Sequence, residues 1–220
     1  MSRAKNFDLI VFDWDGTLMD SAATIAVSLQ AAYADAGLPV PARSDAQEVI
    51  GLGLFEGLAR LAPGASREKL EEVAHHYRLH YLRGDQEIAM FDGVADLLQR
   101  LYDQGFLLGV ATGKSRRGLD RSLLGHELGA LFHATRTADD CHPKPHPAML
   151  LELMDTFGVA PERTLMVGDT SFDLEMAANA GTRALGVTYG AHAREALERL
   201  PSLALLDSVP ALAAWLSTHA

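Results

Sequence analysis

The sequence predicts an α/β protein in which a doubly wound parallel sheet carries an inserted block of helices. From residue 91 onward, short apolar runs rich in β-forming residues alternate with amphipathic helical patterns. This alternation is typical of right-handed βαβ units and therefore of a parallel sheet. A further β-type run stands at residues 7–12, and only helical spacing follows it up to about residue 90. The helical block is therefore expected to be inserted after the first strand.

The inserted block begins with a helix that either Asp20 or Ser21 is suited to cap and that Gly37 and Pro39 end. A second long helix is predicted after Ser66, where apolar residues share one face. The glycine-rich run 49–55 lies between these two helices. No alternating pattern occurs in the block, so we expect it to be all-helical.

The second half of the chain supplies the rest of the sheet. Strands are predicted at 106–111, 131–135, 164–167 and 184–188, and the pattern of the second of these is the weakest. Helices are predicted at 94–101, 119–123, 147–157 and 171–180, and the chain finishes with a helix, a short apolar run at 203–206 and a last helix. We therefore expect a core of residues 1–19 and 92–220 and a helical domain of residues 20–91.

Composition excludes several classes of protein. With 48% hydrophobic and 22% charged residues, the 220-residue chain has globular rather than disordered composition. A net charge of −10 argues against nonspecific nucleic-acid binding and against a basic membrane patch. Cys141 is the single cysteine, so no intrachain disulfide forms. No apolar run suits a signal peptide or a membrane span, and we expect a cytoplasmic protein. The sequence does not indicate an oligomeric state.

Chemically active side chains follow the ends of four predicted strands. They are Asp13, Asp15, Thr112, Lys144, Asp169 and Asp173. In an open parallel sheet these ends share one edge, where ligands bind. Clustered carboxylates repel one another unless they take up a proton or a cation, and an all-oxygen set suits Mg²⁺. With a lysine, a hydroxyl and backbone amides nearby, the sequence predicts a phosphate site.

Four short motifs carry these residues in a fixed order. They are Asp13-x-Asp15-Gly16-Thr17, Thr112, Lys144-Pro145 and Gly168-Asp169-x-x-x-Asp173. The ordered set resembles the haloacid dehalogenase superfamily over nearly the whole chain, and within it the phosphoglycolate phosphatase-like group. The resemblance implies a Rossmann-like core, a helical cap and Mg²⁺-dependent hydrolysis of a small phosphorylated metabolite.

The resemblance also implies roles for the carboxylates. Asp13 is expected to attack phosphorus, to become an aspartyl phosphate and to ligate Mg²⁺ with its other oxygen. Asp15 is expected to be the general acid and then the general base, and to ligate the metal through its backbone carbonyl. Asp169 is expected to be a direct metal ligand, and Asp173 is expected to act through a water molecule.

Phosphate binding is implied for a set that overlaps the catalytic residues. Its members are Asp15, Gly16, Thr112, Gly113 and Lys144. Lys144 is expected to pair with both the phosphate and the nucleophile, which keeps Asp13 ionised.

Substrate selection is implied for Gly51, Leu52 and Gly53. In this cap type a glycine-containing loop between the first cap helices reaches towards the active site, and glycines permit close backbone approach. An ordinary loop between helices is an equally good interpretation of the same residues.

Several alternatives remain open. The sequence does not choose between four kinds of substrate, which are phosphoglycolate, a sugar phosphate such as N-acetylmuramate 6-phosphate, a nucleotide and pyrophosphate. A phosphosugar mutase of the same fold usually has valine in place of Thr17 and Glu-Asp in place of Gly168-Asp169, so hydrolysis is favoured. A phosphorylation-dependent signalling receiver also combines strand-end aspartates, threonine and lysine. Receivers, however, are about half this length and place their acidic pair differently.

Overall fold

A computed structural model describes residues 5–84, 88–124 and 127–220. Within these residues six parallel strands form one sheet in the order β3-β2-β1-β4-β5-β6. The strands are β1 (Leu9–Phe12), β2 (Leu107–Thr112), β3 (Ala134–Thr137), β4 (Thr164–Gly168), β5 (Arg183–Val187) and β6 (Leu205–Leu206). The central strand β1 pairs on one side with β2 and on the other with β4. The strand order reverses between β1 and β4, which makes the carboxyl ends of these strands the expected ligand site.

Five α-helices lie between β1 and β2, and the first four of them form the inserted block. The fifth and five later helices accompany the rest of the described sheet. The first four are α1 (Ala22–Asp35), α2 (Arg43–Glu48), α3 (Leu54–Leu61) and α4 (Arg67–Gly84). The others are α5 (Val94–Asp103), α6 (Arg116–Leu124), α7 (Ala148–Phe157), α8 (Ser171–Ala180), α9 (Arg194–Leu197) and α10 (Val209–His219). The predicted α/β fold with an inserted helical block is confirmed. Helices α2 and α3 were not predicted, because six and eight residues are too few to display a helical period.

Alternate residues of β1 enter different apolar cores, as the two-residue period of a strand requires. Ile10 and Phe12 belong to a core that also includes residues of α5 and α10. Leu9 and Val11 belong to the core under α7 and α8. Burial on both faces explains why this run is continuously apolar.

The inserted helices have an apolar core of their own. Its buried residues come from the segment between Ala22 and Ala74, with Phe172 of α8 added from the sheet domain. A helical unit with its own core suits an independent domain. The boundaries at 19/20 and 91/92 stay a prediction.

The two chain segments that lead into and out of the helical block lie side by side. The backbone amide of Asp20 donates to the Ala89 carbonyl at 3.0 Å, and that of Phe91 donates to the Leu18 carbonyl at 3.1 Å. Met19 forms an antiparallel bridge with Met90. The block is therefore joined to the sheet domain through a paired, two-stranded linker.

The third strand begins later than the sequence pattern predicts. It spans Ala134–Thr137, and its first residue pairs with Gly109 of β2. The apolar pair Leu131 and Phe132 suggested a strand from residue 131. Leu131 is the last residue of a 3₁₀ turn and Phe132 directly follows it, and both side chains are buried in the core before the strand begins.

Candidate active site

Asp13 and Lys144 form the centre of a buried ionic cluster at the carboxyl end of the sheet. The backbone amide of Asp13 donates to the Val167 carbonyl at 2.9 Å, which continues the pairing of β1 with β4 past the strand end. Lys144 Nζ lies 2.8 Å from Asp13 Oδ1 and 2.6 Å from Asp173 Oδ1. The side chain of Lys144 is fully buried. We call Asp13, Asp169, Asp173 and Lys144 the acidic floor.

Burial and mutual repulsion control the charges of the acidic floor. Burial raises the pKa of Asp13 well above its ordinary value, with further repulsion from Asp173 and Asp169, while Lys144 opposes the shift. Burial and the nearby Asp173 raise the pKa of Asp169 to about 7. Burial disfavours the charge of Lys144, but Asp13 and Asp173 outweigh burial and hold its pKa above the ordinary value. One lysine does not offset three buried carboxylates, so in the absence of a cation the upward shifts favour protonation of Asp13 and Asp169.

Hydrogen bonds fix the two carboxylates that follow β4. Thr17 Oγ1 donates to Asp169 Oδ1 at 2.7 Å, and the amide of Ala191 donates to Asp169 Oδ2 at 2.7 Å. The amide and the hydroxyl of Thr170 donate to Asp173 Oδ2 at 3.0 and 2.7 Å, which caps the N-terminus of α8. A Cβ at Gly16, where φ is +83°, would collide with the Asp169 carboxylate. This turn therefore requires glycine.

The acidic floor fits a hard divalent cation. One carboxylate oxygen from each of Asp13, Asp169 and Asp173 lies within 4.8 Å of the others. Lys144 forms an ion pair with Asp13 Oδ1, and neither oxygen of Asp13 accepts a hydrogen bond of ordinary geometry from a described residue. Buried carboxylate oxygens without donors are suited to bind a cation. Asp173 has both oxygens engaged already, which suits an indirect role.

Asp15 lies apart from the acidic floor and has partners of its own. Ser21 Oγ donates to Asp15 Oδ1 at 2.7 Å, and Lys114 Nζ lies 2.9 Å from the same oxygen. Lys114 also donates to the Tyr81 hydroxyl at 2.9 Å and lies over the Tyr81 ring. Because Tyr81 belongs to α4, this contact connects the inserted helices to Asp15.

Thr112 and Gly113 end β2 directly beside the inserted helical block. A Cβ at Gly113 would collide with the backbone carbonyl oxygens of Gly51 and Leu52. The loop between α2 and α3 therefore packs closely against the predicted phosphate-binding residues.

A cavity of about 500 Å³ opens above these groups. Its lower part is lined by Asp13, Asp15, Thr112, Gly113 and Lys114, and its lining also includes Gly51, Leu52 and Gly53. We call the apolar side chains contributed by α1–α4 and the loop between α2 and α3 the cap-side wall. They include Ile25, Leu29, Ile50, Leu54, Leu58 and Tyr81.

The structure brings the predicted site residues to one edge of the sheet. Asp13, Asp169, Asp173 and Lys144 make the floor, and Asp15, Thr112 and Gly113 line the cavity above it. Gly16 lies against Asp169, as described above. The catalytic and ligand roles of these residues stay predictions.

Three polar residues near the site were not predicted to act there. Lys114 follows Gly113 directly, and its place at a strand end was a usable signal. Ser21 was interpreted only as a helix cap, and Thr170 carried no signal apart from its position next to Asp169.

An open parallel sheet with buried carboxylates and a lysine at its switch point is the architecture of an α/β enzyme that acts on a small ligand. Residues 10–187 match the family of haloacid dehalogenase-like hydrolases. The chain belongs to this family, and the resemblance seen in its motifs is confirmed.

Relatives of known name agree with an enzyme of the phosphatase class. The chain is 34% identical over 205 residues to a probable phosphatase, IndB, from Dickeya dadantii (strain 3937), with 91% of this chain and 89% of the relative covered. It is 30% identical to a phosphoglycolate phosphatase from Aliivibrio fischeri, with coverage of 84% and 86%. It is 31% identical to the pyrophosphatase PpaX from Halalkalibacterium halodurans, with coverage of 92% and 94%.

A solved structure shares the fold over almost the full length. The crystal structure of a predicted phosphoglycolate phosphatase from Haemophilus somnus 129pt superimposes with a TM-score of 0.85 at 25% identity. The match covers 97% of this chain and 98% of that chain. None of the helices in the described part of the chain has the length and apolar character needed to cross a membrane.

Proposed function

We propose that this protein is a Mg²⁺-dependent phosphatase that hydrolyses a small phosphorylated metabolite through an aspartyl phosphate on Asp13. The proposal rests on the environment of the Asp13 carboxylate. This carboxylate is buried at the base of the cavity, is paired with Lys144 and has oxygens that accept no hydrogen bond of ordinary geometry from the described residues. A carboxylate held in this way is prepared to react with a ligand.

Asp13 and Asp15 divide the chemistry. In the first step an oxygen of Asp13 attacks phosphorus, the bond from phosphorus to the leaving oxygen breaks, and Asp15 gives that oxygen a proton. In the second step Asp15 takes a proton from water as the water oxygen attacks phosphorus. The bond from phosphorus to Asp13 then breaks and releases inorganic phosphate. Asp15 begins and ends this cycle protonated, and Asp13 begins and ends it ionised.

Binding and orientation fall to the surrounding groups. Thr112 and the amide of Gly113 would hold phosphoryl oxygens, and Lys144 would pair with phosphate and nucleophile. Asp13, Asp169 and the carbonyl of Asp15 would hold Mg²⁺, with Asp173 acting indirectly. The bound cation would supply positive charge that offsets the carboxylates and the phosphate.

The relatives suggest where substrate tests begin. One is named a phosphoglycolate phosphatase and another a pyrophosphatase. Both compounds belong in the first panel, with a sugar phosphate and a nucleotide. We also propose a cytoplasmic location, in keeping with a single cysteine whose thiol pKa burial raises to about 11.

A matched pair of variants tests the proposal. Asp8 and Asp13 flank the two ends of β1, and Asp8 pairs at the surface with Arg163. Asp13→Asn should abolish phosphate release from p-nitrophenyl phosphate in Mg²⁺, because an amide is a poor nucleophile. Asp8→Asn should retain it, and a chelator should abolish wild-type activity. Near wild-type turnover by purified Asp13→Asn protein would refute the mechanism.

A further inference from the structure

The cavity above Asp13 is much larger than a phosphate group with a two-carbon leaving group. Its volume is about 500 Å³, and cavities of roughly 300–1,000 Å³ enclose ligands of drug-like size. Phosphoglycolate or pyrophosphate would therefore occupy only the part of the cavity next to the acidic floor.

The space beyond the floor is bounded mainly by the cap-side wall. Leu58 is fully buried, and Leu29 is 4% and Ile25 8% exposed, so these side chains are held in place by the core of the helical block. No hydrogen-bond donor belongs to the aliphatic side chains of this wall. A polar leaving group placed against them would lose water without gaining partners, whereas an apolar one gains from the same contact.

Three arginines line the same cavity from two different helices. Arg78 belongs to α4, and Arg117 and Arg121 lie one turn apart on α6. We call these three the arginine rim. Among the residues that the structure describes, no carboxylate lies within ion-pair distance of the rim. The neighbouring Arg116, by contrast, points away and pairs with Asp120 and Asp140.

Like charges from both helices around one cavity favour an anionic ligand between them. A cluster of three arginines is also unusual in a chain whose net charge is −10. An arginine fork binds carboxylate and phosphate groups well because it presents several donors in one plane. The rim therefore suits a second anionic group on the substrate, separate from the phosphate that is cleaved.

We infer that the substrate is a phosphate monoester whose leaving group has a bulky apolar body and a second anionic group. The inference rests on the proposed phosphatase function and specifies its substrate class. The phosphoryl group lies at Asp13, the apolar body lies against the cap-side wall, and the second anion lies at the arginine rim.

Three primary alkyl phosphates can test the inference, because each releases a primary alcohol and the esters therefore differ mainly in the contacts of the leaving group. They are ethyl phosphate, 2-naphthylmethyl phosphate and 6-carboxy-2-naphthylmethyl phosphate, with phosphoglycolate and pyrophosphate for comparison. We expect kcat/KM to rise at least roughly tenfold from the ethyl to the naphthylmethyl ester and again on addition of the carboxylate, since small differences in pocket contacts are worth this much. Highest kcat/KM with phosphoglycolate or pyrophosphate would overturn the inference.

Two matched pairs of variants locate the two contacts. Leu82 and Leu79 are both exposed leucines of α4, but only Leu82 is among the cavity residues. Leu82→Asp should lower the preference for naphthylmethyl over ethyl phosphate several-fold, and Leu79→Asp should keep it. Arg83 is an exposed arginine of α4 that does not line the cavity. Arg117→Gln combined with Arg121→Gln should remove the preference for the carboxylated ester, whereas Arg83→Gln should keep it. Equal preferences in all variants would overturn the assignment.

Affinity provides a readout that does not depend on turnover. In Asp13→Asn protein, calorimetry should give the same order of dissociation constants for the three esters. If phosphate release depends on Asp13 but the order is reversed, the substrate class is wrong and the phosphatase function stands. If no ester is turned over but the order of affinities holds, the substrate class stands and the reaction is wrong.

Discussion

The acidic floor and the cap-side wall face each other across one cavity, yet they are built on opposite principles. In the floor, Asp169 accepts from two donors and Asp173 from three, and Lys144 contacts two carboxylates. The wall consists mainly of aliphatic side chains that fill space and form no directional bonds, and Tyr81, whose hydroxyl accepts from Lys114, is the exception among its named members. The floor therefore fixes atoms to within a fraction of an ångström, while the wall fixes only a shape and a polarity.

This difference indicates which part of the molecule is free to change. Moving one carboxylate of the floor leaves another buried charge without compensation, which is costly. Exchanging one aliphatic side chain of the wall for another of similar volume usually costs little stability. Reaction type is accordingly tied to the floor and substrate choice to the wall.

After Asp13→Asn, the largest effect is expected from Asp15→Ala, and its size should depend on the leaving group. An alkyl phosphate expels a strongly basic alkoxide, and general acid catalysis of this step is worth roughly 10²–10⁴ in rate. A nitrophenyl phosphate expels a stabilised phenolate and needs little help. The leaving-group burst, measured before steady state, should fall far more for the alkyl ester. Equal losses for both esters would remove the acid role, and Asp20→Ala provides an exposed control in the linker.

Lys144→Met should damage the floor itself. The variant leaves three buried carboxylates without their cation, and breaking a buried ion pair costs about 3–5 kcal/mol in the free energy of unfolding. Urea denaturation in chelator should show this loss, and Mg²⁺ should restore part of it by replacing the missing positive charge. Lys69→Met, which removes a surface pair with Glu72, should cost at most about 1 kcal/mol. A loss no greater than that of Lys69→Met would mean that the floor is not held by Lys144.

Gly113→Ala examines the contact between the floor and the inserted helices. The added methyl group would collide with the carbonyls of Gly51 and Leu52. Because the collision should displace Thr112 and the Gly113 amide from the phosphate, kcat/KM should fall by up to about 10²-fold. The free energy of unfolding should fall as well, because the colliding atoms belong to the backbone, so kcat/KM is measured well below the melting temperature of the variant. Gly129→Ala is the control, since its Cβ would meet its nearest neighbour at 3.4 Å. An unchanged kcat/KM would show that the contact has no part in catalysis.

Ser21→Ala should give the smallest effect. The substitution removes one of two groups that hold Asp15 Oδ1, and Lys114 remains. A hydrogen bond of roughly 1 kcal/mol corresponds to about a fivefold loss of kcat with an alkyl phosphate. Ser28→Ala, at another buried serine in the same helical block, should have none. If both variants behave alike, Ser21 does not position Asp15.

The sequence predicted the floor well because its residues follow strand ends. Once β1, β2 and β4 are recognised, parallel pairing brings Asp13, Thr112 and Asp169 to one edge regardless of side-chain detail. Lys144 lies in the loop after β3, so the same argument brought it to this edge, and the ordered motifs then implied its role.

The cap-side wall could not be predicted in the same way. Ile25, Leu29 and Leu58 fit the helical period of any buried face, and nothing in that period separates a cavity lining from a packed core. The pairing of Lys114 with Asp15 and Tyr81 is likewise a tertiary contact between segments far apart in sequence. Short helices and loops such as α2, α3 and the turn before β3 are decided by packing, which local patterns do not record.

The paired linker at Leu18–Asp20 and Ala89–Phe91 has a consequence for how this protein can diversify. Because these segments are hydrogen-bonded neighbours, the sheet domain meets the whole insertion as two adjacent chain ends. The conformational entropy of closing a loop between fixed neighbouring ends grows only slowly with loop length. Insertions of very different size and shape can therefore be exchanged at this junction with little penalty to the sheet, and a lineage can acquire a new substrate while its reaction chemistry is inherited intact.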